Sequence, residues 1–162
     1  MVRAVSTPRR FRLLASVLLV AGLAGCPPYA QEQGDYVFTP TEVYRDECNL
    51  LAANTEPLTG TLQITGRVVR LDFSLLDSDL IGYFLEGGEE FAIDGSVVNA
   101  TAPVNGQTCL LDQINVHMEG TTQCQTQFNG MLRVRYDARR PDECVCELWM
   151  RFEAVKDSNR CE

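Results

Sequence analysis

The sequence predicts an all-β domain, an antiparallel meander of about seven strands, braced by disulfides and folded as a partly closed barrel or a sandwich. Three observations predict it. Apolar and polar residues alternate with a period of two through most of residues 58–156, the mark of strands with one buried face. The runs are joined by short connections carrying Gly, Asn, Asp or Pro, such as Asn105-Gly106, a strong hairpin signal. The third observation is cysteine usage: seven cysteines stand in a chain that opens on an export leader, and exported cysteines pair.

The leader occupies residues 1–25. Arg3, Arg9, Arg10 and Arg12 form a basic segment without acidic residues, and an apolar run of 12 residues follows from Leu13 to Ala24. As a helix that run spans about 18 Å at about 1.5 Å per residue, too short for a hydrocarbon core of about 30 Å. A signal-peptide core fits it better than a membrane span. Arg9-Arg10 invites a twin-arginine reading, but Arg12 stands where that motif wants an apolar residue, so the general secretory route is expected.

Leu23-Ala24-Gly25-Cys26 resembles the lipobox of bacterial lipoproteins: an aliphatic residue, two small ones, then cysteine. The resemblance covers the first 26 residues. It implies cleavage before Cys26 and conversion of its thiol to a diacylglyceryl thioether, further acylated with fatty chains such as palmitate. Cysteine parity agrees. Setting Cys26 aside leaves Cys48, Cys109, Cys124, Cys144, Cys146 and Cys161, an even set that reads as three disulfides. Two or more acyl chains anchor a protein stably, whereas one does so only marginally. Pro27 stands where enteric-type lipoproteins retained at the inner membrane have Asp, so the resemblance implies an outer-membrane, lipid-anchored protein of the bacterial envelope.

Residues 26–45 read as a lipidated, flexible tether. Its first part, CPPYAQEQGDYVFTP, has three prolines and little periodicity; extended, such a leash reaches about 50 Å. The β domain then covers residues 46–162. Its strands are expected at 58–65, with Leu58, Leu62 and Ile64 on one face, and at 67–75, with Val69, Leu71, Phe73 and Leu75 inward. Further strands follow at 80–86 and at 90–103, the latter with a bulge at Gly95. The strand 108–119 places Leu110, Ile114, Val116 and Met118 together, and 126–137 places Phe128, Leu132, Val134 and Tyr136 inward. The last, 143–156, gathers Cys144, Cys146, Leu148, Met150, Phe152 and Ala154. In outline the meander is similar to a lipocalin, although that family's early Gly-x-Trp is missing. An immunoglobulin-like sandwich lacks its Cys…Trp…Cys order here.

Connectivity is open from sequence alone, but the strand layout narrows it. Cys124 and Cys161 fall at one end of neighbouring strands, which pairs them. Cys48 and Cys109 are each expected to bridge to one of Cys144 and Cys146.

Charge excludes some functions. Removing the four leader arginines from the 14 basic residues leaves ten against 22 acidic ones, a formal −12. Nucleic acid is not a partner for such a chain, because that binding rests on neutralising phosphates. Motifs for catalysis are missing: there is no Gly-x-Ser-x-Gly elbow, His-Glu-x-x-His helix or phosphate-binding glycine loop, and no cofactor is expected. The single histidine, His117, falls on the outward face with Asn115 and Glu119. Carboxylate pairs of a glycosidase type are not singled out by spacing. Cys144-Val-Cys146 with His117 resembles a zinc site less than a disulfide pair, and Asp77-Ser-Asp79 lacks the glycine and distal glutamate of a calcium loop. Asn99-Ala100-Thr101 matches a glycan sequon without meaning in a bacterial envelope.

Trp149 is the most informative surface residue. It shares the outward face with Glu147, Arg151 and Glu153, and a tryptophan among charges is a candidate partner contact. The leading expectation is a non-enzymatic envelope lipoprotein that binds or scaffolds another envelope component. The second is a carrier or sensor of a small apolar ligand inside a lipocalin-like barrel, and a hydrolase is the third.

Overall fold

A computed structural model describes residues 31–53, 56–75, 79–138, 144–157 and 159–161. Eight strands run up and down in sequence order and close into one antiparallel barrel. They are β1 (Gly34–Asp46), β2 (Leu58–Thr65), β3 (Val68–Phe73), β4 (Asp79–Phe84), β5 (Glu90–Val104), β6 (Gln107–Cys124), β7 (Gln127–Asp137) and β8 (Cys146–Lys156), with a short helix α1 (Leu50–Ala53) between β1 and β2. The seven strands expected from periodicity are all present, and the choice between barrel and sandwich falls to a closed barrel.

The eighth strand corrects the sequence reading. Residues from Gly34 onward, expected to be tether, form β1, which pairs with β2 on one side and β8 on the other. Its periodicity is hidden for a physical reason. The pairing with β8 is shifted twice, between Pro40 and Glu42 and between Val43 and Arg45, and each irregularity breaks the alternation of faces. Pro40, which cannot donate to a ladder, stands at the first shift. Only Tyr36 and Phe38 of this strand's side chains are buried.

The chain is also fastened ahead of β1. Gln31 is buried; its side-chain amide donates to the hydroxyl of Tyr36 at 2.5 Å and to the Gln125 carbonyl at 3.0 Å. The Glu32 amide donates to the same carbonyl at 2.7 Å, and the Tyr36 hydroxyl donates to Glu32 O at 2.7 Å. Burial pushes the Tyr36 phenol up to about 12. Cys26 and the expected leader lie outside the described residues. The expected leash of about 50 Å therefore shrinks to the few residues between Cys26 and Gln31.

The barrel interior is aromatic. The six phenylalanines among the described residues, Phe38, Phe73, Phe84, Phe91, Phe128 and Phe152, are all fully buried. Phe128 is their hub, with ring centroids 5.1 Å from Tyr36, 5.8 Å from Phe38, 5.2 Å from Phe91 and 5.9 Å from Phe152. These tilted and edge-on contacts suit the ring quadrupoles. Gly120 makes room for this packing, since a Cβ there would stand 2.3 Å from Phe91 Cζ.

The β5–β6 hairpin differs from expectation at two points. Pairing runs in register through Gly95, opposite Val116, so there is no bulge; a Cβ at Gly95 would instead meet Leu80 Cδ2 at 2.3 Å. Leu110 is 72% exposed, whereas Cys109 and Leu111 are buried. The inward parity changes between Leu111 and Ile114, at the level of Asn99 on β5, whose φ of 53° lies in the left-handed region that Asn tolerates better than most residues. The hairpin outruns its neighbours, since the ladder with β4 ends at Asp94 and that with β7 begins at Gln113. Val104 is buried and Asn105 donates to Glu47 O at 3.0 Å, so the tip folds back over this end of the barrel.

All six expected disulfide cysteines are paired: Cys124 with Cys161, as expected, Cys48 with Cys146, and Cys109 with Cys144. The split at the far end follows from register. Asp46 faces Leu148 across β1 and β8, and two further steps along each strand bring Cys48 to Cys146. Cys144 is then left for Cys109 in the overhanging hairpin. Each bridge restricts the unfolded chain and contributes about 2–4 kcal/mol.

Replacing the hub residue, Phe128→Ala, is expected to lower the unfolding free energy by about 3–5 kcal/mol in urea titrations with the bridges intact. Leu110→Ser, on the outer wall, is expected to leave the midpoint unchanged. The bridges differ in access: Cys124 and Cys161 are partly exposed, while Cys48, Cys109, Cys144 and Cys146 are buried. Graded reduction followed by alkylation and peptide mass analysis is expected to label Cys124 and Cys161 first.

Candidate functional site

The outer wall carries the polar chemistry, because inward positions are taken by the core and alternation sends the intervening side chains outward. Register aligns one row of these across five strands: Asp94 on β5 faces His117 on β6, His117 faces Arg133 on β7, Arg133 faces Trp149 on β8, and Trp149 faces Arg45 on β1. The row thus links the two features singled out in the sequence, His117 and Trp149.

Trp149 points outward as expected and is 38% exposed. Beside it stands Tyr44, 43% exposed, with ring centroids 4.9 Å apart and planes tilted by 44°. Tyr44 occupies the irregularity between Val43 and Arg45, which aims its ring at the indole. Its hydroxyl donates to Glu42 Oε2 at 2.7 Å, and that bond raises its pKa. Sequence reasoning missed Tyr44 because it lies in the segment read as tether. No local signal marks it, since its place depends on where β1 pairs.

Glu147, two residues before Trp149 on the same face, is a buried carboxylate. Arg45 Nη1 donates to its Oε2 at 2.9 Å, and Arg133 Nε donates to its Oε1. One carboxylate between two guanidiniums satisfies the buried charge and holds both arginines beside Trp149. With Arg151, the next outward residue on β8, the indole is surrounded by three arginines. The aromatic pair is therefore a pre-organised surface whose neighbours are fixed by ion pairs and strands rather than by loops.

His117 has both ring nitrogens engaged: Nδ1 lies 2.7 Å from Asp94 Oδ1 and Nε2 lies 3.2 Å from Glu119 Oε1. The bond to Asp94 raises its pKa most; burial opposes this in part, and Glu119 adds to the rise. Both nitrogens of this imidazole face carboxylates, so neither is turned to a nucleophile. It borders an open cleft on the barrel wall, which Ser96, Asn115, Arg133 and Arg135 also line. A second cleft lies near α1, between Val37, Pro40, Leu51 and Leu58.

Cys144 and Cys146 belong to two different disulfides. Among the described residues, no group of three or more His, Cys, Asp or Glu is placed to hold a metal ion. Asp77 and Ser78 lie outside the described residues, while Asp79 opens β4. The Asn99-Ala100-Thr101 triplet lies within β5. Among the described residues, no helix is long and apolar enough to cross a membrane. No family model, no curated protein and no solved structure matches this chain.

The His117 cluster has a readable pH signature. Its imidazole is expected to titrate above the ordinary 6.5 in an NMR pH series, and Asp94→Asn is expected to bring the midpoint down. Because the folded-state pKa is raised, the stabilisation is complete below the unfolded-state value and fades as pH rises through the folded one. His117→Gln is expected to remove that part of the pH dependence.

Proposed function

We propose that this chain is a lipid-anchored protein of the bacterial envelope, a non-enzymatic binding module that holds another envelope protein through the Trp149–Tyr44 face. The observation that carries the binding face is the exposed aromatic pair itself, 4.9 Å between centroids, set on paired strands and flanked by Arg45, Arg133 and Arg151. Tryptophan, tyrosine and arginine are the residues in which binding energy concentrates at protein interfaces. A rigid wall adds to this, since little conformational entropy is lost when the surface is covered.

Two observations support the anchor. The leader ends in Leu23-Ala24-Gly25-Cys26, and the three disulfides use six of the seven cysteines, leaving Cys26 as the odd one. The membrane is then reached through acyl chains on Cys26, and Pro27 favours the outer membrane. A non-catalytic role is supported by His117, whose two nitrogens are occupied by carboxylates. Against a carrier of apolar ligands stands the barrel centre, where the phenylalanine rings meet one another in the space a ligand would need.

The test is co-purification from cross-linked native membranes. Trp149→Ala and Tyr44→Ala are each expected to weaken capture of the partner by about 30-fold, equivalent to about 2 kcal/mol, with thermal unfolding and all three bridges retained. Undiminished capture by the double variant would overturn the assignment of this face.

A further inference from the structure

We infer that the barrel is held with its Gln31 end toward the lipid bilayer, and with the Trp149–Tyr44 face and overhanging β5–β6 hairpin farther from it. The inference rests on the acylation of Cys26 proposed above and goes beyond it, because an anchor alone does not orient what it holds.

The orientation comes from the length of chain between anchor and barrel. Gln31 is locked to the barrel end through Tyr36 and Gln125, and five residue steps separate it from Cys26. At about 3.3–3.6 Å per residue that segment reaches at most about 18 Å. β8, with 11 residues, is about 28 Å long along the axis, for about 3.3 Å per residue and a strand tilt of about 40°. A barrel turned over would hold Gln31 higher above the lipid than the segment can span. The end that carries Gln31 is therefore the end nearer the membrane.

The antiparallel order places the β2–β3, β4–β5 and β6–β7 turns and the end of β8 at that same end. β4 brings apolar side chains toward it: Ile81, Tyr83 and Leu85 are 43%, 60% and 47% exposed and follow one another on the outer face, with Leu85 at the membrane end. A tyrosine above a leucine matches the graded polarity of a lipid interface. Glu86, Glu89 and Glu90 adjoin them, so the contact suits zwitterionic head groups rather than anionic ones. The far end holds Cys48, Cys109, Cys144 and Cys146, and Trp149 stands about 18 Å along the axis from Lys156 by the same rise and tilt. The binding face therefore works at a set height above the membrane.

The test uses the acylated full-length protein in phosphatidylcholine vesicles containing lipid spin-labelled at the head group, which quenches nearby indoles. Trp149, the chain's single tryptophan, is the native distal probe. Glu86→Trp and Thr108→Trp, each in a Trp149→Phe background, report the two ends. Quenching at position 86 is expected to exceed that at 108 and at native Trp149 severalfold. Glu86→Trp added to the unaltered chain is expected to raise the quenched fraction, which keeps the test usable if Trp149→Phe impairs folding. Lengthening the leash after Ala30 with about twenty Gly/Ser residues is expected to abolish the difference. Equal quenching at both ends on an acylated chain would overturn the orientation alone. An intact mass lacking acyl chains on Cys26 would overturn the anchor, and the orientation with it.

Discussion

Pairing of β1 with β8 is the constraint on which the rest of this molecule depends. Seven strands in a meander leave two edges, each a row of unsatisfied backbone groups and a template for aggregation. β1 covers both at once, pairing with β2 over its first residues and with β8 along most of its length. Closure gives the sheet an inside, and the aromatic residues fill it. It also sets the register that brings Cys48 to Cys146, Arg45 to Glu147 and Tyr44 to Trp149. The second irregularity of β1, between Val43 and Arg45, is the one that turns Tyr44 toward the indole.

The two barrel ends are finished differently, which gives the molecule a direction. One end is closed by Gln31 and Tyr36, with the Cys124–Cys161 bridge near the chain terminus. The other is covered by the β5–β6 overhang and stapled by two buried bridges. In an oxidising compartment those bridges keep the far end rigid without help from the membrane. With the proposed acylation of Cys26, a short segment to the lipid at the first end would convert the internal direction of the barrel into an orientation at the membrane.

Electrostatics on the outer wall is local rather than global. The domain is strongly acidic, yet Arg45, Arg133 and Arg151 gather around one indole, and Glu147 is buried between two of them. Exposed ion pairs contribute little to stability, about 0–1 kcal/mol. Their effect here is positional: they remove rotamer freedom from the side chains that border Trp149. His117 has the same character, its ring held by Asp94 on the neighbouring strand β5 and by Glu119 on its own strand β6.

What the sequence determined by itself follows from properties that are local or countable. Period-two alternation placed the strands from Leu58 to Lys156 and, apart from Leu110, most of their buried faces, among them Phe128, Leu132, Val134 and Tyr136. Parity separated Cys26 from the six cysteines that pair, and end-matching paired Cys124 with Cys161. The outward setting of Trp149 and His117 was equally legible. Tertiary structure alone decided that Gly34–Asp46 is a strand, that the barrel closes, how Cys48 and Cys109 divide Cys146 and Cys144, and that Tyr44 and Gln31 matter. The physical reason is that each of these depends on a partner far along the chain, 98 residues in the case of Cys48 and Cys146. The shifts between Pro40 and Arg45, and the parity change beside Asn99, erase the local pattern that would have announced them.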